Sequence, residues 1–491
     1  MTGSLLAPLA IVTPLVGALL MGLSRRHPNL RETVTLVTAG LLFLLAVALL
    51  PQVLSGARPA TILAQPIPGL PLALEVEPLG ILFALVASLL WFVTSLYSIG
   101  YMRGNHEHHQ TRYYVYFAVA LSSTMGVAFA GNMLTLFLFY EVLTLSTYPL
   151  VTHHGTAEAM RAGRTYLGLL LFTSIGLQLF AILWTWQLAG TLDFVPGGIL
   201  GGGTGSGALG VLLFLYLFGI GKAALMPLHR WLPAAMVAPT PVSALLHAVA
   251  VVKAGVFTVA KVLVYVFGLE QLRQVEASEW AVYVAGATVL SASVVALKQD
   301  NLKRRLAYST VSQLSYVIMA ATLLTPLSVV GAALHIAAHA FGKITLFFAA
   351  GSIYTASHKT EISQLDGIGR AMPWTMGAFT IGTLSMIGVP PAAGFISKWY
   401  ILLGALEVGN LFAVAVIVVS TLLNAAYFLP IVYAGFFRSP KPDPHHTAGR
   451  HGEAPVLIVA ALVITATLTV LFFFLPDVPL WLAYQLIEGA R

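Results

Sequence analysis

FGIGKAALMPLHRWLPAAMVAPTPVSALLHAVAVVKAGVF, residues 218–257, decides how this chain is read. Two lysines, Lys222 and Lys253, stand in apolar surroundings, and Pro227 and Pro233 interrupt the chain between them. Proline removes an amide donor and kinks a helix, and unwound backbone inside a bilayer is tolerated only where protein or water satisfies it. The stretch therefore reads as a broken membrane helix followed by a second helix, each carrying a lysine. A charge at the bilayer centre costs roughly 2.5–3.5 kcal/mol or more, so such residues are read as functional.

The rest of the chain supports a membrane reading. Of 491 residues, 58% are hydrophobic and only 9% charged, with a mean hydropathy of +0.87. A soluble domain carries about 25% charged residues, so a soluble enzyme is excluded. The absence of Cys excludes disulfides, thiolate metal sites and Cys-ligated iron–sulfur clusters. The net charge of +7 comes from scattered residues, which argues against nucleic-acid binding. A bilayer core of about 30 Å takes about 20 apolar helical residues to cross. Runs of this kind fall near 5–23, 33–50, 79–100, 113–130, 132–152, 165–189, 209–228, 241–267, 280–297, 306–323, 327–355, 374–402, 411–437 and 455–475. The expectation is an all-α membrane protein of about fourteen spans. The first run lacks a basic n-region and a small-residue cleavage site, so it reads as a retained span. With both termini outside, seventeen Lys and Arg fall in inner loops and three, Arg58, Arg273 and Arg491, in outer segments. That bias follows the positive-inside rule and predicts a multi-pass protein of a bacterial inner membrane.

Glu141 lies mid-span in LTLFLFYEVLTLSTYPL, the one acid placed so deep. The intramembrane lysines are Lys222, Lys253, Lys261, Lys343 and Lys398, joined by His247, His335 and His339. His335, His339 and Lys343, spaced i, i+4, i+8, share a helix face. A purely structural reading would staple one Glu–Lys pair and let the other lysines snorkel to an interface. It suits Lys261, toward the outer end of its span, and not the deeper residues. One acid cannot neutralise the remaining lysines, so the set reads as a proton or cation relay. A second broken span is expected at Lys398, which follows Pro390 and Pro391 in IGVPPAAGFISKWY. Paired interruptions in two halves of a transporter mark its ion path. A faint repeat aligns NMLTLFLFYEVLTLS from Asn132 with NLKRRLAYSTVSQLS from Asn301, placing Glu141 opposite Thr310.

These stretches, together with KQDNLKRRLAYSTVSQLSY and HIAAHAFGKITLFFAAG, resemble the antiporter-like membrane subunits of respiratory complex I, membrane-bound hydrogenases and Mrp-type sodium/proton antiporters. The resemblance covers roughly residues 75–440. It implies two inverted five-helix repeats, each with a discontinuous helix. Residues 1–110 would form three leading helices, 111–270 and 271–438 the two repeats, and 439–491 an inner loop and last helix. By the same resemblance, Glu141 matches the family's fifth-span glutamate and Lys222 its partner on the broken seventh. Lys253 matches the central lysine of the eighth, with His247 before it, while His335, His339 and Lys343 match the eleventh-span relay. Lys398 takes the broken twelfth-span position, a lysine in some paralogues and a glutamate in others, and is compatible with a D-type Mrp subunit. Neither the lateral helix of one complex I paralogue nor the extra domain of the large A-type Mrp paralogue is expected.

The implied partners are other membrane subunits of a heteromeric complex, the bilayer, protons and Na⁺, with no cofactor or metal in this chain. A redox pump, with its cofactors in partner chains, and the membrane half of an inorganic-carbon uptake complex are the competing readings. Gly205, Gly207 and Gly210 form a literal GxGxxG, but no strand precedes it, so a dinucleotide site is discounted. His106, Glu107, His108 and His109, with His153, His154, His445, His446 and His451, read as loop groups that buffer the surface where protons are taken up rather than as metal ligands.

Overall fold

Of the fourteen apolar runs, 209–228 leaves the helix after Gly219, 374–402 is broken after Ile387, 241–267 bends at Ala250, and the rest lie on helix to within two residues in the computed structural model, which describes residues 3–201, 203–275, 278–440 and 452–488. The helices are α1 (Gly3–Leu23), α2 (Pro28–Leu54), α3 (Pro78–Gly104), α4 (Gln110–Ala128), α5 (Met133–Val151), α6 (Ala157–Ala189) and α7 (Ser206–Gly219). The chain then unwinds before α8 (residues 240–267), α9 (Trp280–Leu297), α10 (Leu302–Thr322) and α11 (Pro326–Ser357). A second broken span follows as α12 (Pro373–Ile387) and α13 (Ala393–Glu407), then α14 (Leu411–Phe437), α15 (Val456–Phe474) and a short α16 (Asp477–Glu488).

Among the described residues, nine helices are long and apolar enough to cross a bilayer. The halves of the broken spans are too short. α10 is long enough but polar, and its Ser309, Thr310, Ser312, Gln313 and Ser315 are buried. Leu5, Leu19, Leu44, Phe172, Leu411 and Leu422 are more than half exposed on the periphery, while buried hydroxyl, amide and ammonium groups thread through a mostly apolar interior. Lipid tails are as apolar as leucine, so an outward leucine costs nothing, and close packing with interhelical hydrogen bonds holds the bundle together.

The 32-residue α11 is the axis of the molecule. It is buried along its whole apolar window and packs against α3, α8, α10, α12, α13 and α15. A capping box between Thr325 and Ser328, with Pro326 in the first turn, starts it, and His358 in the left-handed conformation ends it.

The hairpin β1 (Ala60–Ile67) and β2 (Leu70–Glu75) is an addition to the expected all-helical architecture. Its antiparallel register runs from Ala60 opposite Glu75 to Ile67 opposite Leu70. It docks on the start of α5, where Asn132 Nδ2 donates to Pro71 O at 2.7 Å. The Asn132 side chain also caps α5 by accepting from Thr135 N, and Asn301 caps α10 by accepting from Arg304 N. The two asparagines that open the aligned sequence segments therefore do the same local work, since an N-cap oxygen satisfies an orphan amide of the first turn. Loop contacts separate into two sets. Loops assigned outside meet each other, as in Gln271 with Gly201 and Arg273 with Leu324. Loops assigned inside do likewise, as in Glu107 with His154 and Asp300 with Ser363.

Candidate functional site

Four of the five intramembrane lysines and two of the histidines converge on the core through α5, α8, α10, α11 and the two broken spans. Lys222 lies in the unwound stretch after α7 and is fully buried. Its Nζ donates to Tyr140 O at 2.9 Å and Thr144 Oγ1 at 2.5 Å, and lies 3.1 Å from the centre of the Tyr140 ring. Its backbone N–H donates to Tyr140 Oη. Carbonyl, hydroxyl and aromatic face thus replace the water that an ammonium loses on burial. Gly255 of α8 packs on this break so closely that a Cβ would stand 2.3 Å from Ala223 N. Glu141, next to Tyr140, is the expected ion partner of Lys222. No salt bridge joins them among the described residues, and one Glu141 carboxylate oxygen is buried without a hydrogen bond.

Lys253 is buried on α8, and its Nζ lies 2.6 Å from His339 Nδ1 on α11. Like charges at that distance repel by about 6 kcal/mol at an effective dielectric near 20. The contact therefore holds one proton between two basic nitrogens rather than two cations. One turn back on α11, the His335 ring stacks 6.0 Å from that of His339. His335 Nδ1 meets Ser397 Oγ at 2.8 Å and its Nε2 meets Gln313 Oε1 at 3.1 Å. Ser397 precedes Lys398, whose Nζ donates to Met386 O (2.8 Å) and Ile387 O (3.1 Å) at the end of α12. A helix C-terminus is the negative end of its dipole, a natural seat for an ammonium. The Tyr316 ring stands 4.8 Å from Lys398 Nζ and 5.8 Å from the His335 ring. Lys343, one turn beyond His339, points aside and bonds Ser309 Oγ on α10. The backbone of His247 lies in a π-helical turn, Leu245–Val249. Its side chain is outside the described residues, as are His445, His446 and His451.

Two expectations need correcting. Lys261 does not snorkel. It is buried, donates to Ala130 O at 2.7 Å, and lies 3.5 Å from Glu77, itself buried and bonded by Tyr265 Oη at 3.0 Å. Glu141 is therefore not the only acid to neutralise a buried lysine. Glu77 is hard to find from hydropathy because it precedes its apolar run and serves as N-cap of α3, accepting from Leu79 N and Gly80 N. The sequence reading also misses Thr144, Ser309, Gln313 and Ser397, the residues that hold the basic groups. A signal for them exists. In the faint repeat Tyr140 aligns with Ser309 and Thr144 with Gln313, the positions that receive Lys222 on α5 and Lys343 and His335 on α10.

The GxGxxG glycines lead into α7, where Gly205 is the N-cap. No group of three metal-ligating side chains occurs among the described residues.

A family profile described as "NADH:quinone oxidoreductase/Mrp antiporter, TM" matches residues 130–424. Among curated proteins, NADH-quinone oxidoreductase subunit N of Desulforudis audaxviator is 33% identical over 389 residues, covering 78% of this chain and 75% of that protein. A probable K(+)/H(+) antiporter subunit of Rhizobium meliloti is 32% identical over 411 residues, 81% of this chain and 40% of that one. The chain spans about half the length of several other curated relatives it matches. A chain in the structure of the Mrp complex from Dietzia sp. DQ12-45-1b superposes with a TM-score of 0.88 at 21% identity, covering 100% of this chain and 98% of that one, a likeness of fold.

Proposed function

We propose, because the chain belongs to the NADH:quinone oxidoreductase/Mrp antiporter transmembrane family, that it is the D-type subunit of an Mrp-type Na⁺/H⁺ antiporter, working with other membrane subunits. At the coarser level, the chain is an antiporter-like, proton-translocating, multi-pass membrane subunit of this superfamily. The observation that supports a continuous proton path is the Lys253–His339 contact. It joins the lysines of residues 111–270 to the histidines of 271–438, so the two units form one path. In this reading Lys222 receives or loses its proton as Glu141 moves toward or away from it. The charge change is felt at Lys253, which exchanges a proton with His339. His335 and Ser397 carry it to Lys398, and Lys343 stores a charge beside the line. Both termini face outward, and Na⁺ crosses in a partner subunit, because no cluster of acids among the described residues resembles a cation cage.

The test uses the complex assembled around this chain in inverted vesicles. Lys222→Ala and Lys253→Ala should each abolish Na⁺-dependent proton flux while the complex still assembles; intact flux in both would sink the reading. The likeness to an NADH-quinone oxidoreductase component supports a second reading, the pump arm of a redox enzyme. Mass spectrometry of the chains that copurify separates the two. Small hydrophobic subunits alone favour the antiporter, and soluble iron–sulfur subunits favour the redox pump.

A further inference from the structure

On the face that the charge distribution assigns to the inside, two cavities meet at one histidine. The outer of the two is a cleft of about 660 Å³ with Glu158, Asp300 and Glu361 on its walls. The deeper one, of about 220 Å³, is bordered by Glu107, Lys303, Tyr101 and Thr240. His154 lines both. It sits in the turn after α5, with Nε2 3.3 Å from Glu107 Oε2 in the turn between α3 and α4. Lys303, at the start of α10, faces the same space and donates to Ala238 O at 2.6 Å. The deep cavity therefore lies where the two helical groups meet. Its floor, Thr240, opens α8, the helix that carries His247 and Lys253. Tyr101 Oη lies 3.4 Å from Thr240 Oγ1, and the Tyr101 ring stacks at 6.0 Å on Tyr97, which donates to Phe348 O on α11.

We propose that His154 and Glu107 form the proton-loading site of this chain, passing protons from the inner cleft into the cavity beneath α8. The inference rests on the proton-translocating reading and adds where the proton is first bound. Both cavities exceed by far the roughly 10–15 Å³ a single water needs; the cleft has mainly polar walls and the deeper cavity mixed ones, so both have room and hydrogen-bonding partners for water. A proton moves along hydrogen-bonded groups, whereas a metal cation must travel as a body past Lys303 and Lys359 on the cavity wall. The charged surroundings are mixed. His153 Nε2 lies 4.0 Å from Glu107, Arg112 donates to His153 O at 2.7 Å, and Lys303 opposes them. The hydrogen bond that His154 donates to the Glu107 carboxylate raises its imidazole above the ordinary 6.5, against the opposing effects of burial and Lys303. Burial lowers the neighbouring His153 to about 4. His153 is thus neutral at neutral pH, His154 holds its proton further up the pH scale than an ordinary imidazole, and Lys303 across the cavity is lowered by burial to about 7.

A raised value keeps His154 protonated further up the pH scale, so losing Glu107 moves loading to lower pH. In the assembled complex, Glu107→Gln should slow proton uptake several-fold at about pH 8 and much less at about pH 6, whereas His154→Ala should slow it at both. Imidazole added on the inner side should restore His154→Ala and leave Lys253→Ala inactive. A diffusible acid can stand in for a lost surface donor but not for a buried relay lysine. An unchanged pH profile in Glu107→Gln, undiminished flux in His154→Ala, or a loss there that imidazole does not relieve would overturn the proposal if Lys253→Ala still abolishes flux. If Lys253→Ala also leaves flux intact, the proton-translocating reading falls as well. Should Glu107→Gln fail to assemble, the imidazole response of His154→Ala decides alone.

Discussion

Lys261 and Glu77 show what a charge in this bundle needs in order to be stable. The lysine faces a carboxylate, a carbonyl and the ring of Phe194, whose centre is 4.4 Å from its Nζ. The carboxylate accepts from two helix-capping amides and a tyrosine. With its acceptor positions so occupied, this pair offers no ready place for an incoming proton and serves as a staple between α3 and α8. Lys253 differs in having a second base as its partner, so its hydrogen bond can carry a proton in either direction. The two kinds of buried lysine predict different mutational behaviour. Breaking a buried pair by removing one partner leaves an uncompensated charge and costs about 3–5 kcal/mol. Lys261→Met or Glu77→Gln alone should therefore lower the thermal midpoint of the purified complex strongly. Combined, they should recover most of the loss, because glutamine still caps α3 and no charge is left alone. A double variant less stable than either single would contradict the staple. In the sequence these two lysines differ only in depth, Lys261 lying toward the outer end of its span. Both read as a lysine in an apolar run, and only their neighbours from other helices decide.

Among the elements, the broken spans matter because they bring polar backbone to the bilayer interior and then satisfy it. α12 ends at Gly388, whose φ of +89° is a left-handed C-cap that glycine adopts freely. A Cβ there would stand 2.6 Å from Cδ of Lys398. The glycine thus lets the chain turn and leaves a channel for the lysine stem, so that Nζ reaches the last carbonyls of α12. Gly388→Ala should cost at least about 1 kcal/mol through the backbone alone and displace Lys398 from those carbonyls. Proton flux should fall more than assembly does, measured as flux per assembled complex. A variant with normal flux would mean that the position of Lys398 in the break is unimportant. The prolines make both breaks legible in the sequence. What the ammonium groups contact is less legible, since Tyr140, Thr144, Ser309 and Gln313 look like ordinary helix residues until two helices are laid side by side. The π-helical turn at Leu245–Val249 has no sequence signature of its own; such turns gather at functional sites and arise from packing.

For the bundle taken together, the governing fact is an apolar surface around a mostly apolar interior that is crossed by a line of polar and charged groups. That line runs sideways, from the break after α7 through α8 and α11 to the break before α13, which is the course the proposed proton path would take. The absence of cysteine allows a direct test of the orientation inferred from charge. Thr191→Cys, in an exposed loop assigned outside, should react with a membrane-impermeant maleimide in intact cells. Ser363→Cys, in a loop assigned inside, should react only in inverted vesicles; the reverse pattern would turn the molecule over. Composition, hydropathy and proline act locally along the chain, and they suffice to make it a helical membrane protein, to locate its spans and breaks, and to put charged residue types inside it. Packing alone settles which lysine is a staple and which faces another base, that Lys222 rests on Tyr140 and Thr144 instead of on Glu141, and that two loops far apart in sequence close a cavity around His154. Proton affinity depends on contacts within a few ångströms, and in this bundle those contacts come from helices far apart along the chain.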